Sequence, residues 1–153
     1  MEIQAANLLD LGALRRLEKI CFEKDAWPIL DMFAILTWPD IIRLKVVDNG
    51  EMVGFIGVDP RPSQSVAWIT TIAVAPHYQR RGIGHMLLQA SEEQVDLPRI
   101  RLSARMSNHS AISLYEKEGY KMIDVWKNYY SDYEDAMVME KKLDRNRFRQ
   151  SVR

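Results

Sequence analysis

Cysteine is almost absent from this chain of 153 residues, since Cys21 is the only one. A single cysteine excludes an internal disulfide and provides no cysteine cluster for a metal, so we expect no metal site. No apolar run reaches the roughly 20 residues that a membrane-spanning helix needs. The start of the chain also lacks the basic and then apolar pattern of a signal peptide. These absences predict a cytoplasmic protein that does not enter a membrane.

Net charge is also absent, because 21 basic residues balance 21 acidic ones. Nucleic-acid-binding domains carry a basic excess, so we expect no nucleic-acid partner. The length predicts one domain, which we place at residues 1–143, followed by a basic tail at 144–153. The tail holds four arginines. It is most simply a solvated end, and an arm that touches RNA or the ribosome is the alternative.

The segment at residues 69–84 carries the clearest local chemistry. A β-branched apolar run predicts a strand at 69–74, and the sequence Gln-Arg-Arg-Gly-Ile-Gly at 79–84 predicts a helix start. A helix N-terminus offers free N–H groups to an anion, glycines let a bulky ligand approach the backbone, and arginines suit phosphate oxygens. The third glycine of a dinucleotide-binding motif is missing, because position 87 is leucine, and a Walker loop is absent. The predicted diphosphate site is formed by Gln79, Arg80, Arg81, Gly82, Ile83 and Gly84.

Apolar residues recur at helical spacing near the N-terminus, after a short strand predicted at residues 1–5. Charged residues, Glu18 among them, fall between the apolar ones and predict a polar helix face. Cys21 lies on the apolar face. We interpret it as a core cysteine, with an acyl-carrying nucleophile as the alternative. The apolar positions are Leu8, Leu11, Leu14, Leu17 and Cys21.

Turn signals divide the remainder of the chain. Asn49-Gly50 between two apolar runs predicts a hairpin, and Gly119 predicts the end of a helix at 111–118. The predicted order is strand, two helices, three strands, helix, strand, helix and two strands. The other segments are strands at 41–47, 51–58, 100–103, 120–127 and 136–143, helices at 29–37 and 82–95, and a loop at 60–65.

Two motifs in this order resemble those of the GNAT acetyltransferases. Residues 79–84 resemble motif A, which cradles the pyrophosphate of acetyl-CoA, and residues 107–120 resemble motif B, whose asparagine and tyrosine lie along the pantetheine arm. The motif B pair here is seven residues apart, which is about 10 Å along one helix face. The resemblance implies an α+β fold, an α/β three-layer sandwich whose mixed, mostly antiparallel sheet is splayed for acetyl-CoA. The further contacts that it implies are the backbone of Ile72, Ala73 and Val74 with the acetyl group, and the side chains of Asn108 and Tyr115 with the pantetheine arm.

A third match consists of Asn128-Tyr129-Tyr130 followed by Glu134-Asp135-Ala136. It resembles a segment of the protein N-terminal acetyltransferases. These include the RimI type, which acetylates the N-terminal alanine of a ribosomal protein, and the archaeal and eukaryotic N-terminal enzymes. In that family the tyrosine pair lines the peptide slot, so Tyr129 and Tyr130 are expected to bind the acceptor. The alternative is that they only fix a hairpin loop. The resemblance implies direct attack of a protein's N-terminal amine on acetyl-CoA in a ternary complex, with Tyr115 protonating the leaving thiolate.

One position departs from this pattern. The family places a glutamate as general base where this chain has Ser103, and serine is no base at neutral pH without help. At pH 7.5 an α-amine with a pKa near 8 is about a quarter neutral, whereas lysine, at about 10.4, is about 0.1% neutral. We expect Glu23 to replace the missing base, with His109 as a second candidate. A small-amine acetyltransferase and a catalytically weak acyl-CoA-binding module remain alternatives, and the oligomeric state is open.

Overall fold

The structure is a computed structural model that describes residues 1–25 and 27–144, so residues 145–153 of the predicted basic tail lie outside the described residues. The described part forms a seven-stranded sheet and four α-helices. None of these helices is long and apolar enough to cross a membrane. The strands are β1 (Glu2–Ala5), β2 (Ile42–Asp48), β3 (Glu51–Arg61), β4 (Val66–Val74), β5 (Arg99–Arg105), β6 (Lys121–Trp126) and β7 (Ala136–Lys142). The helices are α1 (Leu11–Cys21), α2 (Ile29–Thr37), α3 (Ile83–Gln94) and α4 (His109–Lys117).

The sheet has the order β1-β2-β3-β4-β5-β7-β6 and is antiparallel except between β4 and β5. Those two strands pair at only two positions, Ala67 with Ile100 and Trp68 with Arg101. Beyond them, residues 69–74 of β4 and 102–105 of β5 border a gap in the sheet. The predicted mixed, mostly antiparallel sheet with a splayed cleft is therefore confirmed.

Helices cover both faces of this sheet. The neighbouring residues Phe55 and Ile56 of β3 are both fully buried, although successive strand residues point to opposite faces. Phe55 packs in one apolar cluster with residues of α1 and α2, whereas Ile56 packs in another with residues of α3 and α4. The molecule is therefore the three-layer sandwich that the sequence predicts.

A β-bulge interrupts β4 beside the gap. Ile69 lies opposite Val58 and Thr71 lies opposite Gly57, so Thr70 is the extra residue between them. The Thr70 hydroxyl donates a hydrogen bond to the carbonyl oxygen of Gly57 at 3.0 Å. Because bulges bend a strand and redirect its side chains, this one sets how residues 70–72 face the gap.

Most local predictions match the structure. The helix predicted at 29–37 has those limits. Asn49 and Gly50 have φ of 51° and 79°, the left-handed values that a tight hairpin turn requires, and Gly119 has φ of 97° at the end of α4. The predicted loop at 60–65 is wrong in part, because β3 continues to Arg61. Pro60 fits there because β2, the neighbour on its other side, stops pairing at Val58.

Glu18 departs from the polar face that the sequence predicts for α1. Its side chain is buried, with a relative exposure of 1%. The buried carboxylate accepts a hydrogen bond of 2.7 Å from the hydroxyl of Thr71 on β4. Periodicity alone misplaces this residue, because the partner that permits its burial lies 53 residues away.

Candidate active site

A cavity of about 220 Å³ lies in the gap between β4 and β5. The strands form its walls, α4 forms one end, and two loops close over it: the loop after α1 and the loop between β6 and β7. It therefore collects residues from most of the chain. The lining residues are Phe22, Asp25, Trp27, Ile69, Thr70, Thr71, Ile72, Leu102, Ser103, Ala104, Arg105, Asn108, Tyr115, Tyr129 and Tyr130.

Helix α4 presents both motif B side chains to this cavity. Asn108 is also the N-cap of the helix, because its side-chain oxygen accepts a hydrogen bond of 3.3 Å from the Ala111 N–H. Tyr115 is buried, and burial raises the pKa of its hydroxyl, with a smaller contribution from Tyr130. The Tyr115 hydroxyl therefore stays protonated at neutral pH and is available as a donor.

The opposite side of the cavity is aromatic. The rings of Tyr129 and Tyr130 are perpendicular, with centroids 5.1 Å apart. The ring centroids of Tyr129 and Trp126 are 5.1 Å apart, and Trp126 stacks on Trp68 of β4 with centroids 5.7 Å apart. These three rings form a row. Ser103 hydrogen-bonds the hydroxyl of Tyr130, whose pKa is raised mainly by burial. The serine that replaces the family's glutamate therefore contacts a predicted acceptor-binding tyrosine.

Arg105, at the end of β5, ties the two loops together over the cavity. Its guanidinium binds both oxygens of Asp25 at 2.7 and 2.8 Å, and it donates to Asp132 and Glu134 at 2.9 Å each. It also lies 4.1 Å from the ring centroid of Tyr130. These bonds raise the pKa of Arg105 and help to lower those of Asp132 and Glu134. We call these four charged residues the Arg105 clamp.

We expect Arg105→Lys to weaken acceptor binding. A lysine ammonium has three donors at one point and cannot reproduce a planar fork that holds three carboxylates and stacks on a ring. The loops should loosen, and the KM for the acceptor should rise about 10-fold, the effect of about 1.4 kcal/mol. Steady-state kinetics with varied acceptor and saturating acetyl-CoA measure this change.

Arg101→Lys is the matched control for that variant. Arg101 lies on the same strand, donates to Glu140 at 2.6 Å and stands over the ring of Trp68, but it does not line the cavity. Its replacement disturbs a carboxylate bond and a ring contact outside the cavity lining. Equal KM values for the two variants would mean that the clamp has no particular role in acceptor binding.

The predicted diphosphate loop precedes α3. Arg80 and Gly82 have φ of 62° and 82°, so the chain turns twice through the left-handed region before the helix begins. Gly82 is the N-cap, and no side chain of the described residues caps the helix, so its first N–H groups have no capping partner there. Gln79 differs from the prediction in one respect, because its amide donates to the carbonyl oxygen of Val74 at 3.2 Å. Arg81 lies over the ring of Tyr78 at 5.0 Å.

The structure requires glycine at position 84 for a different reason from the one that the sequence suggests. A Cβ at this position would lie 2.7 Å from Cδ2 of Leu114 on α4. The glycine therefore lets α3 and α4 pack closely, rather than opening space for a ligand. A Cβ at Gly82 would meet no atom of the described residues within 4 Å, so its backbone conformation is the reason for glycine there.

Three other candidate residues lie outside the cavity lining. Glu23 and His109 are exposed, so the structure does not bring either to the cavity wall. The Cys21 thiol donates to the carbonyl oxygen of Val74 at 3.3 Å, and burial, followed by the charge of Glu18, raises its pKa to about 11. A thiol with that pKa is a poor nucleophile at neutral pH, which favours the core interpretation.

Comparison with known proteins gives a consistent result. Residues 11–120 match the model of the acetyltransferase (GNAT) family. The chain is 32% identical over 148 residues to the N-terminal acetyltransferase A complex catalytic subunit NAA10 of Arabidopsis thaliana, covering 92% of this chain and 77% of that protein. It is 35% identical over 100 residues to a putative [ribosomal protein bS18]-alanine N-acetyltransferase of Bacillus subtilis, covering 63% of this chain and 65% of the other.

The fold comparison agrees with the sequence comparison. The crystal structure of the ribosomal-protein-S18-alanine N-acetyltransferase from Escherichia coli superposes with a TM-score of 0.84 over 94% of both chains, at 28% identity. The resemblance drawn from the three motifs is thereby confirmed. The chain belongs to the GNAT acetyltransferase family and is an N-acetyltransferase.

Proposed function

We propose that this enzyme transfers the acetyl group of acetyl-CoA to the N-terminal α-amine of a protein. The observation that carries the proposal is the cavity between β4 and β5, which has a thiol-side wall and an acceptor-side wall within one enclosure. Asn108 and Tyr115 form the first wall, and Tyr129 and Tyr130 form the second. Relatives named for acetylating protein N-termini support this choice of acceptor.

The donor is proposed to bind along β4 and α3. The uncapped N–H groups at the start of α3, with Arg80 and Arg81 beside them, suit the pyrophosphate of acetyl-CoA. Residues 72–74 lead from this loop toward the cavity, where Ile72 lines the wall. A pantetheine arm laid along this strand would deliver its thioester next to Tyr115. This arrangement gives Gln79, Gly82, Ile83 and Gly84 their proposed place at the cofactor, through backbone rather than side-chain contacts.

The proposed chemistry is direct transfer in a ternary complex. The neutral amine attacks the thioester carbonyl, and backbone N–H groups of residues 72–74 stabilise the oxyanion. Tyr115 then donates its proton to the leaving thiolate. Although its pKa is raised, a thiolate that leaves inside a buried cavity is itself poorly solvated and therefore more basic than in water. No covalent enzyme intermediate is needed, in keeping with the raised pKa of Cys21.

Electrostatics at the mouth of the cavity favour a cationic acceptor. The Arg105 clamp contains three carboxylates and one guanidinium, and Lys24 lies 4.0 Å from Asp132, which leaves one carboxylate in excess. An α-ammonium group approaching the loops is thus attracted. Since an α-amine needs little help to become neutral near pH 8, the loss of the family's glutamate at Ser103 is compatible with this acceptor.

A panel of acceptors tests the proposal. Short peptides with free N-termini, the same peptides with blocked N-termini, and polyamines are offered with acetyl-CoA, and the products are read by mass spectrometry. We expect acetylation of the free N-termini only. Acetylation confined to polyamines would make the enzyme a small-amine acetyltransferase, and binding of acetyl-CoA without turnover on any acceptor would make it a binding module.

A further inference from the structure

Glu18 is a buried carboxylic acid that the mechanism above leaves unused. It lies on α1, and its relative exposure is 1%. One oxygen, Oε1, accepts the bond from Thr71, while the other, Oε2, is buried without a hydrogen-bond partner among the described residues. Such a group is costly to bury, and buried ionisable groups with unsatisfied atoms concentrate at functional sites.

Thr71 connects this carboxyl to the cavity. Its hydroxyl donates to Glu18 Oε1 at 2.7 Å, and the residue lines the cavity wall. A threonine hydroxyl has one proton and two lone pairs. With the proton committed to Glu18, the oxygen of Thr71 can act only as an acceptor toward the cavity. An amine N–H placed against this wall would find there a hydroxyl made more basic by the carboxylate behind it.

Asp25 and Ser103, which also line the cavity, already have hydrogen-bond partners. Asp25 lines the cavity, but the guanidinium of Arg105 donates to both of its carboxylate oxygens, at 2.7 and 2.8 Å. Ser103 hydrogen-bonds Tyr130. Glu18 lies beside the thiol of Cys21, which is on the same helix. The group of β4 that packs against the Glu18 carboxyl is the Thr71 hydroxyl.

We propose that Thr71 and Glu18 form a proton relay that replaces the family's missing glutamate, and the proposal rests on the proposed acetyl transfer. An N–H bond of the acceptor's ammonium group breaks as Oγ1 of Thr71 gains that proton. Thr71 passes its own hydroxyl proton to Oε1 of Glu18. The freed lone pair on nitrogen attacks the acetyl carbonyl, the C–S bond breaks, and Tyr115 protonates the thiolate. The nitrogen then loses its second proton to water as the amide forms, and Tyr115 regains a proton from water. After product release, Glu18 returns the proton through the same hydroxyl to water.

The acidity of Glu18 suits this role. Burial raises the pKa of its carboxyl, and the hydrogen bond from Thr71 partly offsets the rise. A carboxylate whose pKa is raised above the ordinary glutamate value of about 4.3 is a better match to the ammonium group than an exposed one. The raised pKa also predicts that activity is lost in acid at a higher pH than an ordinary carboxylate would give.

The pH dependence of kcat/KM tests the relay, using an acceptor that the wild type acetylates. The wild-type profile should fall in acid with a midpoint above the ordinary glutamate value of about 4.3 and below the midpoint set by the free amine. Glu18→Gln keeps the shape and the acceptor oxygen for Thr71 but cannot take a proton. It should lower kcat/KM about 100-fold at pH 6.5 and move the midpoint toward that of the free amine, with acetyl-CoA affinity unchanged.

Two Thr71 variants separate the relay from packing. Thr71→Val removes the hydroxyl at nearly constant volume and should reproduce the changed profile of Glu18→Gln, whereas Thr71→Ser keeps the hydroxyl and should restore the wild-type midpoint. Glu92→Gln is the control for loss of a buried carboxylate. Glu92 is 6% exposed and bonded to Lys141 at 2.6 Å, away from the cavity lining. Its replacement should change melting temperature and leave the midpoint in place.

A wild-type midpoint in both Glu18→Gln and Thr71→Val would overturn the relay. If Glu23→Gln, rather than the Glu18 and Thr71 variants, removed the fall of kcat/KM in acid, the exposed Glu23 would be the base. That result would also overturn the relay. If the wild type acetylates polyamines but no peptide, the proposed acceptor is wrong, and the same profiles recorded with the polyamine still decide whether Glu18 accepts the proton.

Discussion

Tyr115→Phe should lower turnover by about 10- to 1000-fold while acetyl-CoA affinity changes little, the range expected for loss of a positioned acid. The ring stays in place, buried against Tyr120 with centroids 6.1 Å apart, and only the hydroxyl is lost. The leaving thiolate must then take its proton from water, which reaches the buried end of the cavity poorly. Single-turnover kinetics, with affinity measured by calorimetry, separate the chemical step from binding.

Tyr120→Phe is the matched control. Tyr120 is 1% exposed, its hydroxyl is buried without a partner among the described residues, and it does not line the cavity. Removing this hydroxyl should leave turnover near the wild-type value and should not harm stability. If Tyr115→Phe turned over as fast as Tyr120→Phe, water would be the acid and Tyr115 would serve only packing.

Gly82→Val should weaken acetyl-CoA binding by about 100-fold. A β-branched residue at φ of 82° is strained by about 1–2 kcal/mol, and relief of that strain turns the loop away from the shape that aims its N–H groups at the pyrophosphate. Hydrogen bonds to charged groups contribute about 1.5–3 kcal/mol each, so losing two accounts for the predicted change. Calorimetry with acetyl-CoA measures it directly.

Gly50→Val controls for the strain itself. Gly50 has φ of 79°, and a Cβ there would meet no atom within 4 Å in the part of the chain that the structure describes, as at Gly82. Gly50, however, lies in the hairpin between β2 and β3. Both variants should lose similar stability, and only Gly82→Val should lose affinity. Equal affinities in the two variants would contradict the assignment of residues 79–84 to the pyrophosphate.

The sequence predicts those features that short segments determine. The hairpin at Asn49-Gly50, helix α2 and the end of α4 at Gly119 each depend on a few neighbouring residues, and each has the predicted place. The family motifs likewise place Asn108, Tyr115, Tyr129 and Tyr130, all of which line one cavity. Their roles, the limits of the domain, the cytoplasmic location and the tail stay predictions.

Features that depend on distant partners could not be predicted in this way. Asp25 meets Arg105 from 80 residues away, and Glu18 meets Thr71 from 53. A charged residue in an amphipathic helix predicts exposure unless its partner is known, so the spacing alone predicts a solvent-facing Glu18. The available signal is Arg105 itself, a charged residue two positions after Ser103. Gly84 shows the same limit, since its neighbour Leu114 belongs to another helix.

Acetylation of one peptide that carries both a free N-terminus and an internal lysine tests the central claim most directly. The two amines compete for the same enzyme and the same acetyl-CoA, and tandem mass spectrometry locates the acetyl group. At pH 7.5 the neutral fraction of the α-amine exceeds that of lysine by more than about 100-fold. We predict acetyl on the N-terminus alone; acetyl on the lysine, with the N-terminus left free, would contradict the proposed function.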